Sequence, residues 1–180
     1  MRVRRKTIQR IVQELLDANK VVRPAVPVER IARAMGIDID HVPGQDELSG
    51  FLLRHATKNK AVIGVNRNHQ ANRQRFTIAH ELGHFLLHEG EPVHVDETES
   101  YRIERRSSKS SAGDDPMEIE ANAFAAELLM PAIFLRRDLD ERGDNVDLSD
   151  DAAVEALASR YKVSVTAMTF RLANLGYLRL

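Results

Sequence analysis

The chain has no cysteine. That absence excludes disulfide scaffolds, thiolate zinc fingers, iron–sulfur clusters and cysteine nucleophiles. Any metal it binds must be held by histidine and carboxylate side chains. No apolar run approaches the roughly 20 residues needed to span a bilayer. Neither sign of charge dominates: 26 Lys and Arg stand against 27 Asp and Glu, a net charge of -1. That balance argues against a protein held to nucleic acid mainly by net positive charge. The start, Met1-Arg-Val-Arg-Arg-Lys6, is basic like the first part of a secretory leader. Thr7 to Lys20, however, is amphipathic and carries Gln, Glu, Asp and Asn where an apolar segment is required. The expectation is a cytoplasmic protein without a membrane anchor.

What is present fits a soluble globular protein: 180 residues, 43% hydrophobic and 29% charged. That length suits one domain, or one with a small appendage. Ile8, Ile11, Val12, Leu15 and Leu16 lie at helical spacing. Pro24 and Pro27 mark a break, and Val28 to Met35 forms a second short helix ended by Gly36. Short β-like runs follow at 37–42, 50–54 and 61–66, and suit an antiparallel sheet of about three strands. Residues 71–89 read as a long helix. Residues 90–115 read as polar and irregular, with 105–115 the best candidate for disorder. A second apolar helix runs from about Met117 to Met130, stopped by Pro131. After a charged linker, 136–147, Ser149 and Ser164 are candidate N-caps of two further helices. No internal repeat is visible.

His80-Glu81-Leu82-Gly83-His84 matches H-E-x-x-H. Residues four apart share one helix face, about 6 Å apart. Two imidazoles so placed can bind one zinc, with Glu81 beside them to address water rather than the metal. The alternative is a pair of helix-surface histidines with a solvated Glu, which a strongly apolar helix makes costly. Gly83 has two readings, close approach at the site or tight helix–helix packing, since Gly inside a helix costs about 1 kcal/mol. His88 is excluded as a ligand alongside His80, because eight residues rise about 12 Å. A third ligand is needed. The second helix offers Glu118 and Glu120, about 200° apart around the axis, so only one can face a metal. Glu118 has Asn122 one turn later as an amide to orient a ligand imidazole. It also reads as an acidic first-turn residue favoured by the helix dipole.

Arg73-Gln-Arg-Phe-Thr-Ile-Ala-His-Glu-Leu-Gly-His-Phe-Leu-Leu-His88, followed by Glu118-Ile-Glu-Ala-Asn-Ala-Phe-Ala-Ala-Glu-Leu-Leu-Met-Pro131, resembles the ImmA/IrrE family of metallo-endopeptidases. Ile63-Gly-Val-Asn66 and Pro27-Val-Glu-Arg-Ile-Ala-Arg-Ala-Met-Gly-Ile37 fit the same pattern. So do Leu157 to Ser164 and Arg171 to Gly176. The resemblance implies an α+β, zincin-like core over residues 1–140: a small antiparallel sheet, the H-E-x-x-H helix and a second ligand helix. It implies zinc held by His80, His84 and Glu118, with Glu81 as catalytic base. It also implies a substrate, a helix-turn-helix repressor of the Xre/Cro type encoded in phages, mobile elements or stress-response loci.

Residues 141–180 echo a helix-turn-helix. The helix after Ser164 carries Arg171 as its one cation, too few for phosphate contacts to supply much affinity. A helical hairpin packed on the core is the expectation, with direct nucleic-acid binding disfavoured. The basic N-terminus reads as a solvated arm or a docking surface for an acidic partner. His94 and Tyr101 are candidates to stabilise an oxyanion. Two rival readings are a non-hydrolytic zincin-like binding module and a toxin–antitoxin component acting through repressor or DNA. A preserved Glu81 favours the enzyme, since a structural zinc needs no base.

Overall fold

A computed structural model describes residues 3–43, 49–55, 61–88, 93–95, 99–105, 115–142, 148 and 150–179, with the backbone alone at 55, 93–95, 99–105 and 142. Among the described residues the order is α1 (Arg5–Ala18), α2 (Val28–Ala34), β1 (Ile37–Val42), β2 (Gly50–His55), β3 (Ala61–Asn66), α3 (Ala71–Leu87), β4 (Val93–Val95), β5 (Glu99–Arg105), α4 (Pro116–Leu129), α5 (Ala132–Arg142), α6 (Asp151–Tyr161) and α7 (Val165–Asn174). This is an α+β fold. None of these helices is long and apolar enough to cross a membrane.

The stripe Ile8, Val12 and Leu16 is the buried face of α1. It packs on α4. Helix α2 buries Val28, Ile31 and Ala32 and ends where Gly36 takes φ +79°, a conformation glycine adopts without steric cost. The chain then enters β1.

The sheet differs from the expected antiparallel one. Its five strands lie in the order β1-β3-β2-β5-β4, and β1 pairs with β3 in parallel, from Ile37 opposite Ala61 to Val42 opposite Asn66. The β3–β2, β2–β5 and β5–β4 pairs are antiparallel. The physical reason lies in β3. Every one of its residues but Val62 is buried, so it belongs inside the sheet with a neighbour on each side. Strand β1 alternates, with Asp38 and Asp40 exposed, and takes the edge.

Three further expectations are corrected. The polar stretch after residue 90 is not wholly irregular, since it contributes β4 and β5. Arg105 closes β5, Asp115 caps α4, and 106–114 lie outside the described residues. Most of the expected linker is α5, which buries Phe134, Leu135 and Asp138 among its charges. Ser149 lies outside the described residues, and Asp150 caps α6 by accepting from the Ala152 N–H at 3.0 Å. Ser164 caps α7 through the Ala167 N–H at 3.1 Å, as read from the sequence.

Helices α6 and α7 are fastened to the rest. Arg171, 9% exposed, donates to the Met130 carbonyl at 3.0 Å and to Glu127 at 2.6 Å. Asp138 accepts from Arg160 at 2.7 and 3.0 Å and from the Tyr161 hydroxyl at 2.9 Å. Burial and then that hydrogen bond push the Tyr161 hydroxyl above its ordinary range. Asn72 donates to the Val163 carbonyl at 3.0 Å. One apolar cluster runs from Ile8 to Leu172.

Candidate metal centre

Helix α3 is enclosed on both sides. It packs against α4 and lies on β2 and β3. From Thr77 to His84 every residue is buried, whichever way it points. Three of those eight carry groups that interior packing alone would not select: His80, Glu81 and His84. Such groups are costly inside unless they are engaged.

His80 and His84, one turn apart, bring their ring centroids to 4.9 Å. Glu118 arrives from α4. Pro116 occupies the first turn of that helix and Asp115 caps it through the Met117 N–H at 2.9 Å. Proline's fixed φ and the satisfied N–H start the helix at a defined residue. The acidic Glu118 therefore sits in the first turn, and its Oε2 lies 3.5 Å from His80 Nε2. One ligand atom each from His80, His84 and Glu118 falls within 4.8 Å of the others. Two ligands of one tetrahedral zinc stand about 3.3–3.5 Å apart, given bonds of about 2.0–2.2 Å. Two imidazoles and a carboxylate are also the donor set of a hydrolytic zinc site with an open fourth position. The residues present fit a divalent ion.

Gly83 is explained by packing. A Cβ there would stand 3.1 Å from Phe124 Cβ and 3.2 Å from Ala121 Cα. The bare backbone lets α3 and α4 approach closely enough for a side chain of one to meet two of the other.

Glu81 is 2% exposed and follows His80 directly, three residues before His84. Glu120 turns away to Arg4, accepting from its backbone N–H at 3.0 Å and its Nε at 2.9 Å. Hydrogen bonds from Arg4 hold the Glu120 carboxyl below its ordinary value, against burial, which pushes it up. The solvated basic arm is thereby corrected at Arg4. Asn122, one turn after Glu118 on α4, is exposed. His88 caps α3, its Nε2 standing 3.2 Å from the Met117 carbonyl. His94 and Tyr101 lie on β4 and β5, with side chains outside the described residues.

Two arginines announced by no motif close the end of α3. Arg4 reaches the Leu87 carbonyl at 3.2 Å. Arg54, from β2, donates to the carbonyls of His84 at 2.6 Å, Phe85 at 3.0 Å and His88 at 2.8 Å. Both partnerships join residues distant in sequence, so no local pattern marks them.

Residues 32–173 match the model of the IrrE N-terminal-like domain, a peptidase family. The chain is 31% identical over 144 residues to the radiation response metalloprotease IrrE of Deinococcus radiodurans, covering 80% of this chain and 39% of that protein. It is 33% identical over 113 residues to the protein of the same name from Deinococcus deserti, covering 63% and 36%. It is 29% identical over 127 residues to uncharacterized immunity region protein 2 of Bacillus phage phi105, covering 69% and 68%. The chain thus spans well under half the length of the two Deinococcus relatives. With a family match over most of its length, two histidines and a glutamate converging, and the helix pair that carries them, this chain belongs to the ImmA/IrrE family of IrrE N-terminal-like peptidase domains.

Proposed function

We propose that the protein is a zinc-dependent endopeptidase that cuts a helix-turn-helix repressor of the Xre/Cro type in the cytoplasm. The observation that carries this reading is the convergence of His80, His84 and Glu118 beside a buried Glu81. A zinc ion held there supplies Lewis acidity to the scissile carbonyl and lowers the pKa of water. The chain's own contribution is positional and basic. His80 and His84 present neutral nitrogens from one rigid helix face, and Glu118 adds one negative charge. Glu81 takes a proton from the attacking water as the oxygen–carbon bond forms. It returns that proton to the departing amine as the carbon–nitrogen bond breaks.

The substrate class rests on the family and on the relatives' names. One belongs to a phage immunity region and two to a radiation response. We assign the chemistry to residues 1–140 and an accessory role to 141–180, of which no described residue joins the ligand group.

The test is Glu81→Gln. It removes the proton acceptor and little else, so metal and fold are retained while cleavage falls by about 10²–10⁴-fold. The intact mass of a co-incubated Xre-type repressor reads the result, with a chelator control. A discrete, chelator-sensitive fragment pair from wild type alone supports the peptidase. Equal cutting by the variant rejects Glu81 as base. Binding of the repressor by both proteins with no cutting by either favours the non-hydrolytic module.

A further inference from the structure

We propose that Arg54 is a positioning residue for the metal centre, holding ligand His84 by its backbone. The inference rests on the metal reading above and adds to it a residue outside the ligand set.

The last turn of an α-helix is its weakest part. Beyond the capping bond from the His88 N–H to the His84 carbonyl at 3.1 Å, the final carbonyls of α3 have no intrahelical N–H to accept from, and helix ends open at little cost in free energy. His84 stands in that last turn, three residues before Leu87. A ligand so placed is presented correctly only while the turn is closed.

Arg54 closes it. Its Nη2 donates to the carbonyl of His84 at 2.6 Å and of His88 at 2.8 Å, and its Nη1 to that of Phe85 at 3.0 Å. The guanidinium carbon lies 4.9 Å from the centre of the Phe85 ring. One planar group therefore fastens both sides of the turn, and a cation at a helix C-terminus also meets the favourable end of the dipole. The anchor is firm. Arg54 sits on β2 opposite Ala61 of β3, on the strand's α3-facing side together with Gly50 and Leu52. The sheet thus holds the carbonyl of a ligand residue directly.

The geometry demands arginine. Three acceptors spread over one helical turn match a rigid fork of N–H donors, whereas lysine offers one compact ammonium. Without the fork the turn frays part of the time. The apparent metal affinity then falls by the fraction of molecules with His84 in place. Outer groups that orient ligands are worth typically about 10–100-fold in affinity.

The experiment measures Zn2+ dissociation constants by competition with a chromophoric chelator. It is done on wild type, Arg54→Met, Arg54→Lys, His84→Ala and a remote cavity variant, Leu16→Ala. Urea unfolding of each apoprotein gives its stability, and the visible absorption of the Co2+ form reports ligand geometry. Arg54→Met is expected to bind Zn2+ about 10–100-fold more weakly, with an altered Co2+ spectrum. Arg54→Lys should fall between it and wild type. Leu16→Ala should lose stability yet keep the affinity and spectrum of its folded form. Affinity within twofold of wild type in folded Arg54→Met overturns the positioning role and leaves the metal site standing. If Arg54→Met does not fold, Arg54→Lys decides on the same criterion. Equal loss in Leu16→Ala also overturns it, because the effect would then be one of stability alone. Wild type binding no more Zn2+ than His84→Ala rejects the metal reading itself, and the positioning role with it.

Discussion

Glu118 and Glu120 are two residues apart on α4 and have unlike surroundings. Glu118 approaches His80, and Glu120 is sealed against Arg4. Glu118→Gln should therefore weaken metal binding, since a neutral amide is a poorer ligand than a carboxylate. Glu120→Gln should leave metal affinity within a few-fold and lower stability instead. Hydrogen bonds to charged groups contribute about 1.5–3 kcal/mol. Arg4 is 45% exposed, so solvent screening reduces the expected loss to about 1–2 kcal/mol. This loss depends on pH. The folded-state value of Glu120 lies below its ordinary 4.5, chiefly through the Arg4 hydrogen bonds. The stabilisation is therefore fully present above that ordinary value and fades as pH falls through the folded one. Urea unfolding from pH 7 downward should show wild type losing its advantage over Glu120→Gln in acid. A constant difference across that range would mean that the pair contributes nothing through charge. The motif residues of the site were legible because H-E-x-x-H fixes them by spacing within one helix. Arg4 and Arg54 were not, since each meets its partners only through the tertiary fold.

At the scale of elements, the spacing of α3 and α4 is set by Gly83. Gly83→Ala has two opposed effects. Helix propensity favours Ala by about 1 kcal/mol. The added methyl meets Phe124 Cβ at 3.1 Å and the backbone of Ala121 at 3.2 Å, and overpacking costs about 1–3 kcal/mol. Since Ala121 Cα is backbone, α4 itself must shift, and the net expectation is a loss of about 1 kcal/mol. Moving α4 also moves Glu118 relative to the histidines, so Zn2+ affinity should drop more than the stability change implies. Calorimetry with and without metal separates the two; a stabilised variant with unchanged affinity would refute the packing argument. The helices α1 to α4 could be read from apolar periodicity and from Pro and Gly stops. Helix α5 escaped because Arg136, Arg137, Asp138, Asp140, Glu141 and Arg142 dilute a short apolar face. Strands β4 and β5 escaped because each offers only two alternating apolar positions, Val93 and Val95, then Tyr101 and Ile103, within a polar stretch. The place of β3 between β1 and β2 is a matter of long-range pairing, and alternation along a strand says nothing of its neighbours.

For the whole molecule, the buried Arg171–Glu127 pair is one of several ties that join the C-terminal helices to the rest. Removing one partner of a buried pair strands the other charge, at about 3–5 kcal/mol. Arg171→Met should cost that much and still unfold in one step, because Asp138 with Arg160 and Tyr161, Asn72 with the Val163 carbonyl, and the shared apolar cluster continue to tie α6 and α7 to the rest. The chain has no tryptophan and 3 tyrosines, and Tyr161 is buried on α6. In a Tyr101→Phe background, which leaves Tyr161 and Tyr177, tyrosine emission follows the C-terminal segment while far-ultraviolet dichroism follows the whole chain. Two separate transitions would show that α6 and α7 melt alone. The insertion of β3 beside β1 bears finally on synthesis at the ribosome. Strand β1 emerges first but has no hydrogen-bonding partner until translation has passed Asn66. At about 5–20 residues per second that interval is on the order of seconds. Throughout it β1 is an open template for any other nascent strand, and the outward carboxylates of Asp38 and Asp40 are the charges that keep such an edge from pairing with strangers.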